Sequence, residues 1–519
     1  MELINSNTRE NKRIAKNTIV LYIRMLFVMG VSLYTSRVVL AELGVTDYGI
    51  YNVVGSVVTI FTFISQALGN ATNRFIVFSI GEGDVDKTKR VYNTCFRVHL
   101  IIAAIVVLLL ETAGLWFLNG RLNIPDDRHI AALFVFHISV IICFLSILRV
   151  PSNAEVIAHE HMGVFALISV VEVSLKLLIA IMLIISTTDK LILYAFLLLV
   201  VQIIVNLSYH VYCKRKFEEC KLTLHVENDK RLYKEISSFA GWSMFGNVVW
   251  LGYTQGMNLM LNIFFGPAVN AARGVAVQVE SAVTSFVSSF QTALNPQITK
   301  SYAQGDIDRM HSLIVYSSKF SVYLYLMFAV PIFFEAKNIL EIWLVEVPDH
   351  TVNFVRLILI FLLLTPIGNP LGTSNDATGK IRNYQIVCGL INLQIIVVSY
   401  IFLRMGYAPE VVFVIQIIVF SIQNIAKLLF VHKQVKLSLQ YYFRSAIIPV
   451  FIVCAASVLS SYLLLHLFSN NFVQVTLFMA ISFFTVLFIE YLLGLNMNER
   501  IMVKNTVKKY CGRMFKYKE

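Results

Sequence analysis

Apolar runs recur along the whole chain, separated by short polar punctuation. Fourteen can be counted, near 17–40, 48–70, 93–118, 130–150, 164–186, 190–212, 238–263, 269–294, 314–334, 354–374, 384–404, 409–431, 445–467 and 472–494. Each is close to the roughly 20 residues that an α-helix needs to cross a bilayer. The pattern predicts an all-α polytopic membrane protein with about fourteen spans. The runs at 48–70 and 269–294 are the least apolar, because polar residues recur along them.

The polar punctuation fixes an orientation. With the N-terminus inside, the inner segments hold 28 Lys and Arg. The outer loops hold four, Arg121, Arg128, Lys190 and Lys337, and the other eleven of 43 fall in or at the edges of spans. That asymmetry satisfies the positive-inside rule, and one missed or extra span would scramble it. Both termini are therefore expected in the cytoplasm.

A longer period overlies the runs. The stretch 44–97 returns at 266–319, offset by 222 residues without a gap, with eleven of 54 positions identical. Gly44 meets Gly266, Asn73 meets Asn295, and Gly83-Asp84 meets Gly305-Asp306. An internal repeat of this kind recasts the fold. It carries the first span onto the seventh, so the chain divides into a lobe at 1–222, a second at 223–432, and an extra hairpin with a basic tail at 433–519. Six spans per lobe is an even number, so both lobes point the same way. They are parallel lobes related by a pseudo-two-fold axis along the membrane normal, with a site expected between them near mid-membrane.

Composition agrees with the pattern. The chain is 57% apolar and 14% charged, with a mean hydropathy of +0.71, whereas a soluble domain carries about 25% charged residues. The net charge of +12 gathers between apolar runs, which suits lipid headgroups rather than nucleic acid. The basic amphipathic segments at 213–235 and 495–519 fit the same surface. The first run is too long for a signal-peptide core and lacks a small-residue cleavage site, so it is expected to stay as a span. Seven scattered cysteines with no CxxC read as structural or reduced thiols.

Charges inside spans are costly, about 2.5–3.5 kcal/mol at a helix centre, so they mark candidate sites. Arg24 lies about two turns inside the first span and Arg37 near its outer end. Arg273, Glu280, Thr284 and Gln291, spaced seven, four and seven apart, share one narrow face of a helix. Thr59, Thr62, Gln66 and Asn73 form a comparable stripe in the second span, and Asn247, Thr254 and Asn258 in the seventh. Such stripes either line a cavity or hydrogen-bond helices together. Glu172 and Lys176, four apart, are either a self-neutralising pair or a coupling and gating pair. Asp47 and Glu280 are further acidic candidates for ion coupling. Arg149, Arg404 and Lys427 read as span-end residues whose heads reach the interface. His159 and His161 in AHEHMG have neither HExxH spacing nor partner cysteines, so no metal site is expected. No P-loop, GxSxG elbow or carboxylate pair stands in a catalytic context, and the chain is expected not to be an enzyme.

Several phrases resemble a known family: SRVVLAELGVTDYGIYNVVGSV at 36–57, NRFI at 73–76, LNPQITKSYAQGD at 294–306 and NDATGKIRNYQ at 375–385. With the lobe pattern, they resemble the bacterial polysaccharide biosynthesis flippases of the multidrug/oligosaccharidyl-lipid/polysaccharide (MOP) exporter superfamily, over roughly residues 12–440. The resemblance implies an inner-membrane flippase that moves a polyprenyl-diphosphate-linked oligosaccharide from the cytoplasmic to the periplasmic leaflet by alternating access. It implies a cationic cavity, onto which Arg24 and Arg273 map by position and Arg37 and Arg74 less directly. It implies no cofactor, H+ or Na+ as coupling ion, and polysaccharide-assembly membrane proteins as neighbours. A cation-coupled drug antiporter of the same superfamily remains an alternative, though its cavity should favour acidic residues. A membrane glycan polymerase or ligase is a second, but no outer loop is large enough for its chemistry.

Overall fold

The computed structural model describes residues 2–59, 62–116, 118, 125–221, 229–344, 347–468, 471–497 and 499–501. Among the described residues the chain is helical, with no strand. Its helices are α1 (Glu2–Thr59), α2 (Thr62–Glu82), α3 (Val85–Leu109), α4 (His129–Ala158), α5 (Met162–Ile185), α6 (Lys190–Lys216), α7 (Lys230–Phe265), α8 (Pro267–Ala303) and α9 (Ile307–Trp343). There follow α10 (Thr351–Leu362), α11 (Leu364–Ala377), α12 (Arg382–Arg404), α13 (Val411–Val435), α14 (Leu439–Tyr442), α15 (Ile448–Leu465) and α16 (Phe472–Ile489).

Eleven described helical segments are long and apolar enough to cross a membrane. The predicted runs at 238–263 and 269–294 are helical but are not among these segments, and of the run at 48–70 the parts 48–59 and 62–70 are helical while residues 60 and 61 lie outside the described ones. The runs at 17–40 and 48–70 are separated by a break at Gly44, whose backbone is not helical (φ 74°, ψ 170°), a conformation that glycine adopts freely.

The repeat is written into the backbone. Gly44 and its counterpart Gly266 both take positive φ (74° and 80°), as do Gly83 and Gly305 (78° and 74°). Asp84 Oδ1 accepts from Lys87 N at 2.9 Å, and Asp306 Oδ1 accepts from Arg309 N at 3.1 Å. A carboxylate at an N-cap satisfies an otherwise orphaned amide, so each Gly-Asp turn ends one helix and starts the next. Asp189 starts α6 in the same way, accepting from Leu191 N and Ile192 N.

Two compact units follow contacts rather than chain order. Unit 1 comprises 1–252, 292–310 and 373–390; unit 2 comprises 253–291, 311–372 and 391–519. In unit 1, α1 packs along α5, and α4 packs against α2, α3 and α6. Gly81 of α2 comes so close to α8 that an added Cβ would lie 2.6 Å from the Ala303 Cβ. Unit 2 is built on an aromatic core that includes Tyr253, Phe354, Phe361, Phe413 and Phe420. It buries an ion pair, Lys319 Nζ to Glu499 at 2.6 and 2.7 Å. Its α15–α16 hairpin is pinned by Ser461 and Ser482, 2.7 Å apart. Large apolar side chains on both units face outward: Leu108 is 65% exposed, Phe451 72% and Phe484 66%. Rows of such side chains would drive aggregation in water and are at home only against lipid tails.

Candidate functional site

Two polar centres occupy unit 1. The first is built around Glu172 of α5. Lys176, one turn on, meets its Oε1 at 2.7 Å, and Arg149 of α4 meets its Oε2 at 3.4 Å. Arg149, read from the sequence as a span-end residue, is thus a partner of Glu172. Arg24 of α1 lies with its guanidinium 4.5 Å from the Phe165 ring, and its Nε has no hydrogen-bond partner. The buried Tyr209 lies within electrostatic reach of Arg24, Arg149 and Glu172. Three cations against one carboxylate leave an excess of two positive charges, three minus one.

The second centre is a cavity of about 600 Å³ lined by Arg74, Arg231, Lys234, Lys380 and Arg382, with Glu235 and a wall of Phe75, Phe239 and Trp242. Arg74 of α2 stacks between Phe75 (4.5 Å) and Phe78 (4.7 Å) and donates from Nη2 to the Ala377 carbonyl at 3.2 Å. Gly379 makes room for it: its φ is +75°, and a Cβ there would lie 2.6 Å from Arg74 Nη2. Arg382 sits 5.4 Å from the Trp242 ring. Guanidiniums braced on aromatic faces keep their donors aimed while staying charged. The sequence reading named Arg74 but missed Lys380 and Arg382. Both lie in the stretch NDATGKIRNYQ at 375–385 that carries the family resemblance.

A third contact set in unit 1 also escaped the sequence. Glu160, in left-handed conformation (φ 59°), buries its carboxylate against Arg13 Nε at 2.6 Å and Gln297 Nε2. Its carbonyl accepts from Asn17 at 3.3 Å. This ties the start of α1, the α4–α5 turn and the end of α8 together.

Unit 2 holds its own cluster. Arg273 of α8, 6% exposed, donates to the Thr254 carbonyl at 3.2 Å and to Asn258 Oδ1. Glu280 and Tyr253 are its electrostatic neighbours. The predicted stripe on α8 therefore divides its work. Arg273 and Glu280 interact, and Thr284 turns its hydroxyl back onto the Glu280 carbonyl at 2.7 Å. Gln291 is buried and fully engaged with Ser321, the Pro366 carbonyl and Asn369, so it joins helices rather than lining a cavity.

The other sequence candidates fall as follows. Asp47 is committed to Arg128, whose Nε and Nη2 reach it at 2.8 and 2.5 Å. Arg128 also takes Asp189 at 2.6 Å. That hydrogen bond raises the Arg128 pKa above its ordinary value, and Arg128 in turn holds the Asp189 carboxyl below its own. Arg37 and Gln66 are exposed, while Asn73 and Asn247 are half-buried. The side chains of Thr59 and Thr62 lie outside the described residues.

The architecture is that of solved transporters. A MATE transporter in its bent conformation superposes with a TM-score of 0.72 at 15% identity, covering 82% of this chain and 96% of that one. An outward-facing multidrug resistance MATE family transporter of the MOP superfamily gives 0.70 at 15% identity with the same coverage. A MOP superfamily transporter from Pyrococcus furiosus, described as having a binding pocket of reverse polarity that suggests a different function, gives 0.69 at 16% identity, again with 82% and 96% covered. These likenesses establish a multi-pass transporter fold of the MATE type.

The family follows from the chain itself. The polysaccharide biosynthesis protein family matches residues 14–302, more than half of the sequence, and the protein belongs to that family. The MatE family matches 243–401. The uncharacterized membrane protein EpsK of Bacillus subtilis (strain 168) is 20% identical over 289 residues, covering 56% of this chain and 56% of that protein. The match thus spans a little over half the relative's length.

Proposed function

We propose that the protein flips a polyprenyl-diphosphate-linked oligosaccharide from the cytoplasmic to the periplasmic leaflet of a bacterial inner membrane, for surface polysaccharide assembly. The reading rests on the polar centre at Glu172, where membrane-embedded cations outnumber the carboxylate by two. Uncompensated cations in a span are costly unless they face water or a counter-charge. A diphosphate supplies about two negative charges and accepts charge-assisted hydrogen bonds, which suits guanidinium donors. Arg24, whose guanidinium lies against the Phe165 ring, is the residue we assign to cargo contact. The positive-inside count supports fourteen spans with both termini in the cytoplasm. The cavity at Arg74 then lies on the inner face, where the cargo is made.

Glu280 and Glu172 are the acidic groups in spans that could couple the cycle to H+ or Na+. Asp47 is the weaker coupling candidate, since Arg128 already neutralises it. A cation antiporter is favoured by one observation, the MatE match over 243–401, and by the acidic Glu280 inside that segment. Cells lacking the protein decide between the two readings. They should accumulate lipid-linked oligosaccharide on the inner face and recover with the wild-type chain but not with Arg24→Gln. Normal surface glycan in the deletion, with raised sensitivity to cationic drugs, would sink the flippase reading.

A further inference from the structure

Away from these centres, Glu155, His159 and Glu219 converge at one end of unit 1. Glu155 closes the last turn of α4, His159 follows four residues on, and Glu219 comes from the short 3-10 turn Glu218–Cys220 after α6. Their ligating atoms all lie within 4.8 Å of one another. His159 Nε2 is 2.7 Å from Glu219 Oε1 and 3.5 Å from Glu155 Oε1. The His159 ring is fixed in plane by Phe217, stacked at 4.1 Å with 10° between planes. His161 takes no part, since its Nδ1 is 2.6 Å from the Tyr212 hydroxyl.

The decisive observation is Glu155. Its side chain is 0% exposed, and neither carboxylate oxygen has a hydrogen-bond partner. The nearest donor, His159 Nε2, sits at hydrogen-bond distance from Glu219 instead. A fully buried carboxylate without hydrogen bonds, met only by an imidazole at 3.5 Å, is strongly unfavourable unless it is neutralised by a proton or a cation. A single imidazolium balances only one of the two carboxylates here. A divalent cation balances both and lets the imidazole bind as a neutral ligand.

We propose that Glu155, His159 and Glu219 form a binding site for a first-row divalent metal ion of the Zn2+ class. Two carboxylates and one imidazole are an oxygen–nitrogen donor set that such ions accept, with a further position open to water or another group. The ion would clamp the end of α4 to the segment that follows α6. The sequence hid the site because Glu219 lies 60 residues from His159 and the two histidines drew attention to the wrong pair.

The test uses the full chain in detergent, stripped with chelator and titrated with ZnCl2 alone. Bound metal is read by mass spectrometry and stability by thermal melting. The proposal expects one zinc per chain and a raised melting temperature, both lost in Glu155→Gln and in His159→Ala. Gln matches a protonated carboxyl in shape. If Glu155 is simply neutral, the wild-type chain binds no zinc and Glu155→Gln melts like the stripped protein, which overturns the proposal. Zinc retained by both variants overturns it as well. Should either variant fail to elute as a monodisperse species, Glu219→Gln gives the same readout from the more exposed of the two carboxylates.

Discussion

The polar centre on α5 in unit 1 and the Arg273 cluster in unit 2 both place charge inside helices, in different ways. In unit 1 the cations outnumber the acid, and Arg24 lies with its guanidinium 4.5 Å from the Phe165 ring. In unit 2, Arg273 is 6% exposed, donates to Asn258 and the Thr254 carbonyl, and has Glu280 as its electrostatic neighbour. The first arrangement carries positive charge in excess of its carboxylate, and the second ties α7 to α8. The difference is not a consequence of backbone shape, because the repeat keeps its glycine kinks and Asp caps in both copies. Arg24 has Gly246 at its repeat position, and Arg273 has Tyr51. The duplicated frame is thus common to both copies, while the charge carried on it is not.

The sharpest way to break this comparison is to delete each arginine. Arg273→Ala should cost about 3 kcal/mol of stability, since it strands Asn258 and leaves Glu280 without its cation. Melting in detergent should fall markedly, and transport should fall only in step with the folded fraction. Arg24→Gln should leave melting within a degree or two. It should lower flipping by roughly 30- to 100-fold, the worth of one charge-assisted contact of about 2–3 kcal/mol. Equal stability losses in the two variants would erase the contrast.

A smaller effect probes the brace on Arg74. Gly379→Ala adds a Cβ 2.6 Å from the guanidinium at a positive φ, and should cost about 1–2 kcal/mol. The matching read-out is a lower melting temperature that Arg74→Ala partly restores. The smallest effect is electrostatic. The Asp189 carboxyl is held below its ordinary value of 3.8, chiefly by Arg128. Because the folded-state value is the lower one, this stabilisation is complete above 3.8 and is lost as pH falls through the folded value. Melting of the wild-type chain should therefore fall more between about pH 6 and about pH 3 than melting of Arg128→Gln.

Much of the frame was legible in advance. Repeated Gly-Asp pairs at 83–84 and 305–306 announce a helix stop followed by a cap, and both were found. Glu172 and Lys176 were legible because they sit one turn apart on one helix. What could not be read was pairing between helices. Arg74 meets a carbonyl 303 residues away, Asp47 meets an arginine 81 residues away, and Arg149 joins Glu172 from a neighbouring helix. Helical periodicity places a side chain on a face but does not name the helix opposite. It also cannot distinguish a hydroxyl that lines a cavity from one, like that of Thr284, that turns back on its own helix.

The most direct test of the central claim is a two-substrate assay on the purified chain in proteoliposomes. One arm follows a labelled polyprenyl-diphosphate oligosaccharide becoming accessible on the opposite leaflet, and the other follows uptake of a cationic dye. The account predicts protein-dependent flipping of the diphosphate lipid that Arg24→Gln removes, with no dye uptake. Dye uptake with a stationary lipid would contradict it.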